Sequence, residues 1–193
     1  FRHGADEGQY INHYPKGFLA EESMEDQTLL ASIIQNNIVT ISSPLVHKEL
    51  LVQAGKFQLD LKNNEDWLLW FRIALLKSIF VFDGDSRSFS KIRVHAGSAI
   101  QTQRNMYLGE VVVRMQMDAA LARFMRFEKR ALMRQNMDLL ALHRIRSLEL
   151  KAGWMYILKS FFRHPLQSAP LMGEGLFRSF ARLFRHLVPR NGS

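Results

Sequence analysis

Cysteine is absent from the 193 residues. Disulfides, thiolate zinc sites and cysteine nucleophiles are therefore excluded together, and the absence fits a reducing compartment. No apolar run approaches the ~20 residues that a spanning helix needs. Even Trp154–Phe162 is interrupted by Lys159, so the chain reads as soluble or peripheral. Glycine and proline follow no period, which excludes a fibrous chain, and an apolar content of 47% excludes a disordered one. The length suits one ordinary domain, or a domain with an appendage, and can bury a normal core. The chain opens at Phe1 with neither a methionine nor a signal-like segment, which predicts that its natural N-terminus lies upstream.

Acidic charge is scarce in the second half. Residues 1–95 hold 10 Lys and Arg against 12 Asp and Glu, a net of −2, whereas residues 96–193 hold 16 against 6, a net of +10. The basic surplus thus coincides with the long helical patterns, where it faces either an anionic partner or plain solvent.

The first 25 residues show no sustained period and read as irregular, with a short hairpin near Gln9–Tyr14. A short helix fits Asp26–Gln35. Asn37–Ser42 is β-branched and apolar, the pattern of a buried strand. Ser43-Pro44 then offers an N-cap and a first-turn proline, and Gly55 a stop, which predicts a helix over Pro44–Ala54. Asn64 is placed to cap Glu65–Lys77, a helix so evenly apolar that it must be deeply buried. Ile79–Asp83 and Phe89–Val94 read as strands joined by Gly84–Ser88. Strand and helix alternate over these hundred residues, which predicts an α/β layer structure. Beyond Gly97 the spacing turns helical: one pattern runs from Leu108 towards Met133. Met137–Leu150, Trp154–Arg163 and Gly175–Val188 follow, punctuated by Gly153, Pro165 and Pro170.

Glu65 and Asp66 stand in the first turn of the buried helix. The positive end of the helix dipole is reason enough for two acids there. A carboxylate so placed is also rigidly aimed, which is what a general base for a sugar hydroxyl requires. The pair alone does not choose between these roles.

The surrounding residues add a resemblance. Asn36-Asn37-Ile38, Ser42-Ser43, Glu49-Leu50, Gly55-Lys56-Phe57, then Glu65-Asp66-Trp67-Leu68-Leu69-Trp70-Phe71-Arg72, and finally Ile92-Arg93-Val94-His95-Ala96-Gly97-Ser98 occur in order. Together they resemble the acceptor side of the family 2 glycosyltransferases, inverting enzymes with the GT-A fold. The likeness covers residues 1–100 and implies a partial GT-A-type α/β domain with few strands and flanking helices. Residues 101–193 then form a basic helical C-terminal extension. The resemblance implies Asp66 as the catalytic base, with Glu65 orienting the acceptor or its loop. It places Trp67, Arg93 and Ser43 among the substrate-binding residues, and His95 as a ligand of Mg²⁺ or Mn²⁺ near the nucleotide diphosphate. Core tryptophan and strand-end histidine are the plainer readings of Trp67 and His95.

The departures matter too. Leu69 and Ile92 stand where the family has aspartate and tyrosine, and Lys56 stands for a glycine. Nothing before Asn36 supplies the family's nucleotide-binding strands or its Asp-x-Asp metal motif. Asp83-Gly84-Asp85 has that spelling but follows the Glu-Asp helix instead of preceding it, and reads as a turn. The expectation is an acceptor-side piece of a glycosyltransferase, lacking the donor site by itself.

In Gly175–Val188 the residues Leu176, Phe177, Phe180, Leu183, Phe184 and Leu187 repeat at three and four, with Arg178, Arg182 and Arg185 on another side. That is the composition of an interfacial membrane helix, or of a helix docked on protein with its arginines solvated. The functional expectation is transfer of a sugar from a nucleotide-sugar donor to a glycan or lipid-linked acceptor in cell-surface polysaccharide synthesis. The enzyme would be cytoplasmic and peripheral on the anionic inner membrane face. A non-catalytic scaffold of the same descent and a basic nucleic-acid-binding module are the alternatives. No basic stripe interleaved with aromatics, nor any helical DNA-reading motif, supports the last, so no nucleic acid is expected.

Overall fold

A computed structural model describes residues 2–3, 17–61, 63–85, 87, 93–94, 103–123, 130–147 and 149–187. Seven helices make up most of it: α1 (Asp26–Gln35), α2 (Lys48–Gln53), α3 (Glu65–Leu75), α4 (Gln103–Arg123), α5 (Arg130–Ser147), α6 (Leu150–Arg163) and α7 (Pro165–Leu187). Extended pairing among the described residues is confined to two places. The two-residue strands β1 (Arg2–His3) and β2 (Arg93–Val94) pair in parallel, and Met24 bridges Phe80 in antiparallel fashion.

This overturns the α/β expectation. A two-residue ladder offers no surface on which helices could layer, so the described structure is helical and not a partial GT-A domain with strands. Asn37–Ser42 shows why the pattern misled. Its Ile38 is buried, but the carbonyl of Ile38 accepts the Ala20 N–H at 3.0 Å, and that of Val39 accepts the Trp70 indole at 3.1 Å. Thr40 and Ser43 then close a turn, with Ser43 N–H donating to the Thr40 carbonyl at 3.2 Å. The segment buries Ile38, leaves Ile41 exposed, and pairs its Ile38, Val39 and Thr40 carbonyls without a neighbouring strand. The hairpin near Gln9–Tyr14 and most of Phe89–Val94 lie outside the described residues.

Helix α1 keeps its expected bounds because Leu29, Leu30, Ile33 and Ile34 form one buried face. Helix α2 ends where glycine predicts. Gly55 sits at φ +85°, and its N–H donates to the Val52 carbonyl while Lys56 N–H donates to that of Leu51, a Schellman closure. Its start is four residues later than expected, with His47, not Ser43, at the N-cap.

Helix α3 buries Trp67 through Phe71, with Ile73 and Ala74. One core gathers α1 and α3 with Val113, Met117 and Leu121 of α4 and Leu132 of α5, so it draws on both sides of residue 100. A second, smaller core joins Ala141, Leu142 and Ile145 of α5 to Ile157 of α6, with Leu171 and Met172 of α7 packed on it. Helix α6 starts at Leu150 and runs through Gly153, which is no break. A Cβ there would lie 2.7 Å from the Ala141 carbonyl oxygen, so the glycine lets α6 close on α5. Pro165 opens α7 as a first-turn proline, but α7 continues through Pro170.

Candidate functional site

Asp66 is the second residue of α3 and is partly buried. One carboxylate oxygen accepts the Trp67 N–H at 2.8 Å and the other accepts the Asn37 side-chain amide at 3.2 Å. The first bond satisfies an N–H that a helix start leaves without a carbonyl. Burial raises the Asp66 pKa from its ordinary value. The Asn37 and Trp67 hydrogen bonds oppose that rise, and the negative charge of neighbouring Glu65 adds to it. The carboxylate is thus fixed in direction and made a stronger proton acceptor than a free aspartate. The Asn37 side-chain oxygen is buried beside it with no hydrogen-bond partner.

The ground under Asp66 is built by α1 and α4. Asn64 does not cap α3 with its side chain. It sits in the left-handed region at φ 62°, and its amide donates to the Met106 carbonyl at 3.2 Å, tying the mouth of α3 to α4. That approach depends on Gly109, where a Cβ would stand 2.8 Å from the Asn64 amide nitrogen and 3.0 Å from the Asn63 carbonyl. Trp67 is 3% exposed, and its indole donates to the Ile33 carbonyl at 2.7 Å. In this position it is a core side chain with no face free for a sugar ring.

Against the other side of Trp67 lies Arg114 of α4, 1% exposed, its guanidinium 4.8 Å from the ring centre. Arg114 donates to the carbonyls of Ile34 and Gln35 at 2.8 and 3.3 Å, where α1 presents its negative end. Burial first, then the nearby positive charges of Arg178 and Arg146, push its pKa down to about 10, against the pull of Glu110. Asn136, fully buried on α5, donates to the Arg114 carbonyl at 2.9 Å. Nearby, Glu110 and His143 approach to 2.7 Å, and burial lowers the His143 pKa more than Glu110 raises it. These groups join α1, α4 and α5 behind the helix mouth.

Of the remaining expected site residues, Ser43 and Arg93 fall within the described structure. Ser43 is exposed, its hydroxyl 2.7 Å from that of Thr40. Arg93 belongs to β2, and His95 lies outside the described residues. Asp83-Gly84-Asp85 is irregular chain held by a local side-chain bond. Asp83 accepts the Asp85 N–H, and the Asp85 carboxylate takes the Arg87 guanidinium at 2.6 Å. Among the described residues no three His, Asp or Glu stand together as a metal site. Two open surface depressions lie on α6 around Lys151 and on α5 around Arg134, not at the α3 mouth.

Sequence reasoning placed Asn64 at the start of α3 but missed its bond to Met106, and it missed Asn37 and Gly109 as builders of the mouth. Asn37 was visible within the Asn36-Asn37-Ile38 motif, but only the fold shows its amide on a carboxylate 29 positions away. Comparison with protein-family models, with characterised proteins and with solved structures finds no match. No described helix is long and apolar enough to cross a membrane.

Proposed function

We propose that this chain carries the acceptor-side part of an inverting glycosyltransferase, with Asp66 as its general base. The observation that carries the reading is the state of Asp66: aimed by Asn37 and the Trp67 N–H, partly desolvated, and raised in pKa. A general base works best when its pKa is drawn towards the operating pH without loss of the ionised form, and burial opposed by two donated hydrogen bonds does that. In the reaction, Asp66 takes the proton of an acceptor hydroxyl as that oxygen bonds to the anomeric carbon of a nucleotide sugar. The bond to the nucleoside diphosphate breaks on the opposite face. Glu65, partly exposed beside it, orients the acceptor. Mg²⁺ or Mn²⁺ and the nucleotide belong to the donor side of this proposal, and no step is assigned to them from the described residues. The acceptor is a glycan or lipid-linked glycan, and the work takes place at the inner membrane face.

The test is a nucleotide-sugar transfer assay on the natural protein that contains this chain. Asp66→Asn lowers turnover by ~10²–10⁴-fold at unchanged circular dichroism. Asp85→Asn, which loosens only the Arg87 contact, leaves turnover unchanged. Near-normal turnover of Asp66→Asn would overturn the assignment.

A further inference from the structure

We infer that the α6–α7 hairpin is a docking surface for an anionic lipid bilayer, entered at its tip by Phe162 and Leu166. The proposal takes up the membrane location given above and makes no use of sugar transfer.

The two helices pack on each other and on α5 through the Ile157 core, with small residues at the points of closest approach. The hydroxyls of Ser160 and Ser168 meet at 2.9 Å, and the Trp154 indole donates to the Ser179 hydroxyl at 3.2 Å. Gly175 is buried so close to α6 that a Cβ would stand 2.8 Å from Ile157 Cδ1. Ile157, Leu171 and Met172 share that interior, and the other large apolar residues of the pair are left outside. On α7, Leu166 is 91% and Phe177 68% exposed, and Phe180 continues the same stripe at helical spacing. On α6, Met155, Leu158 and Phe162 form a stripe of their own, Phe162 being 81% exposed. A helix of a water-soluble bundle keeps its large apolar residues on the inward side; α7 turns Leu171 and Met172 inward but carries a second apolar stripe outward. Apolar exposure on this scale marks a surface that meets something other than water.

Charge selects the partner. Residues 150–187 contain six Lys and Arg and one acid, Glu174. That acid is neutralised by Arg178 at 2.6 Å, which holds the arginine inward, its side chain only 16% exposed. Arg178 therefore does not serve as a headgroup contact, contrary to the sequence pattern. Lys151, Lys159 and Arg163 are exposed and border the α6 stripe. Long cations flanking a band of aromatic and aliphatic side chains match an anionic interface, where the apolar groups enter the acyl boundary and the cations reach phosphates. No described helix can span, so the attachment is to one leaflet.

The test is co-sedimentation of the 193-residue chain with phosphatidylcholine vesicles, with and without phosphatidylglycerol. The chain pellets with the anionic vesicles and is released as salt rises. Lys159→Ala with Arg163→Ala weakens that binding about 30-fold, from about fivefold per cation near a charged surface. Phe162→Ser with Leu166→Ser weakens it at least about tenfold. Both pairs are exposed, so circular dichroism and the thermal midpoint stay unchanged. The inference is overturned by native chain that stays in the supernatant, by equal binding to neutral and anionic vesicles, or by apolar variants that pellet like the native chain. It is equally overturned if the native chain is a dimer that Phe162→Ser with Leu166→Ser dissociates, since the surface then belongs to a second copy. None of these results bears on Asp66, which the transfer assay tests separately.

Discussion

Two glycines on the helical hairpin allow the packing of α6 on α5 to be weighed. Alanine in place of an interior helical glycine gains about 1 kcal/mol from propensity alone. At Gly173 of α7 a Cβ would have nothing within 4 Å, so Gly173→Ala should show that gain nearly whole. At Gly153 the same methyl meets the Ala141 carbonyl oxygen at 2.7 Å and Ile145 Cγ1 at 2.8 Å. Neither is the free end of a flexible side chain, so α5 and α6 must move apart, and overpacking of this kind costs about 1–3 kcal/mol. The propensity gain offsets part of that cost and leaves Gly153→Ala near-neutral to about 2 kcal/mol destabilised. Gly175→Ala falls between, because its methyl meets the mobile Cδ1 of Ile157. For a chain of this size each kcal/mol moves the thermal midpoint by about 2–4 °C, so the Gly153 and Gly173 variants should part by at least ~2 °C in opposite directions from one another. Thermal unfolding followed by circular dichroism reads this directly. Equal shifts of one sign in both variants would refute the close approach at Gly153.

Two further expectations concern the α3 mouth. Because burial raises the Asp66 pKa, its ionised form is less well accommodated in the folded chain than in the unfolded one, so native stability falls as pH rises from the ordinary aspartate value of 3.8 through the folded value. Asp66→Asn should therefore be the more stable protein near neutral pH in urea melts, its advantage vanishing below about pH 3.8, the Asn37 amide turning so that its unpartnered oxygen accepts the new side chain; an advantage independent of pH would refute this. Arg114→Met removes the donor from the Ile34 and Gln35 carbonyls, at about 1–3 kcal/mol for a buried acceptor left unpaired. Chemical denaturation should show a loss of that order, with Arg114→Lys between the two, and a variant as stable as native would mean that burying the guanidinium costs as much as its bonds return.

What the sequence discloses here follows the range of the forces involved. Helix α1 and the close of α2 depend on residues within one or two turns, and their buried face and glycine closure were readable to the residue. The strand expected over Asn37–Ser42 depends on a partner edge elsewhere, which no local pattern specifies; here the Ile38 and Val39 carbonyls are paired by the Ala20 N–H and the Trp70 indole instead. Gly153 and Pro170 were misread for a related reason. A glycine that admits a neighbouring helix and one that ends its own look alike in sequence, and only the Ala141 carbonyl distinguishes them. The same division runs through the candidate site. The position of Asp66 at a helix start is local and was legible, whereas the Asn37 amide that holds its second oxygen arrives from 29 residues away. Trp67, adjacent in sequence to Asp66, admits a substrate-binding and a core reading, and the next step round the helix carries it into the core between Ile33 and Arg114. Loss of the expected sheet therefore leaves the Asp66 carboxylate where it stood. Its direction is set by α3 itself and by Asn37, and neither contact uses a strand.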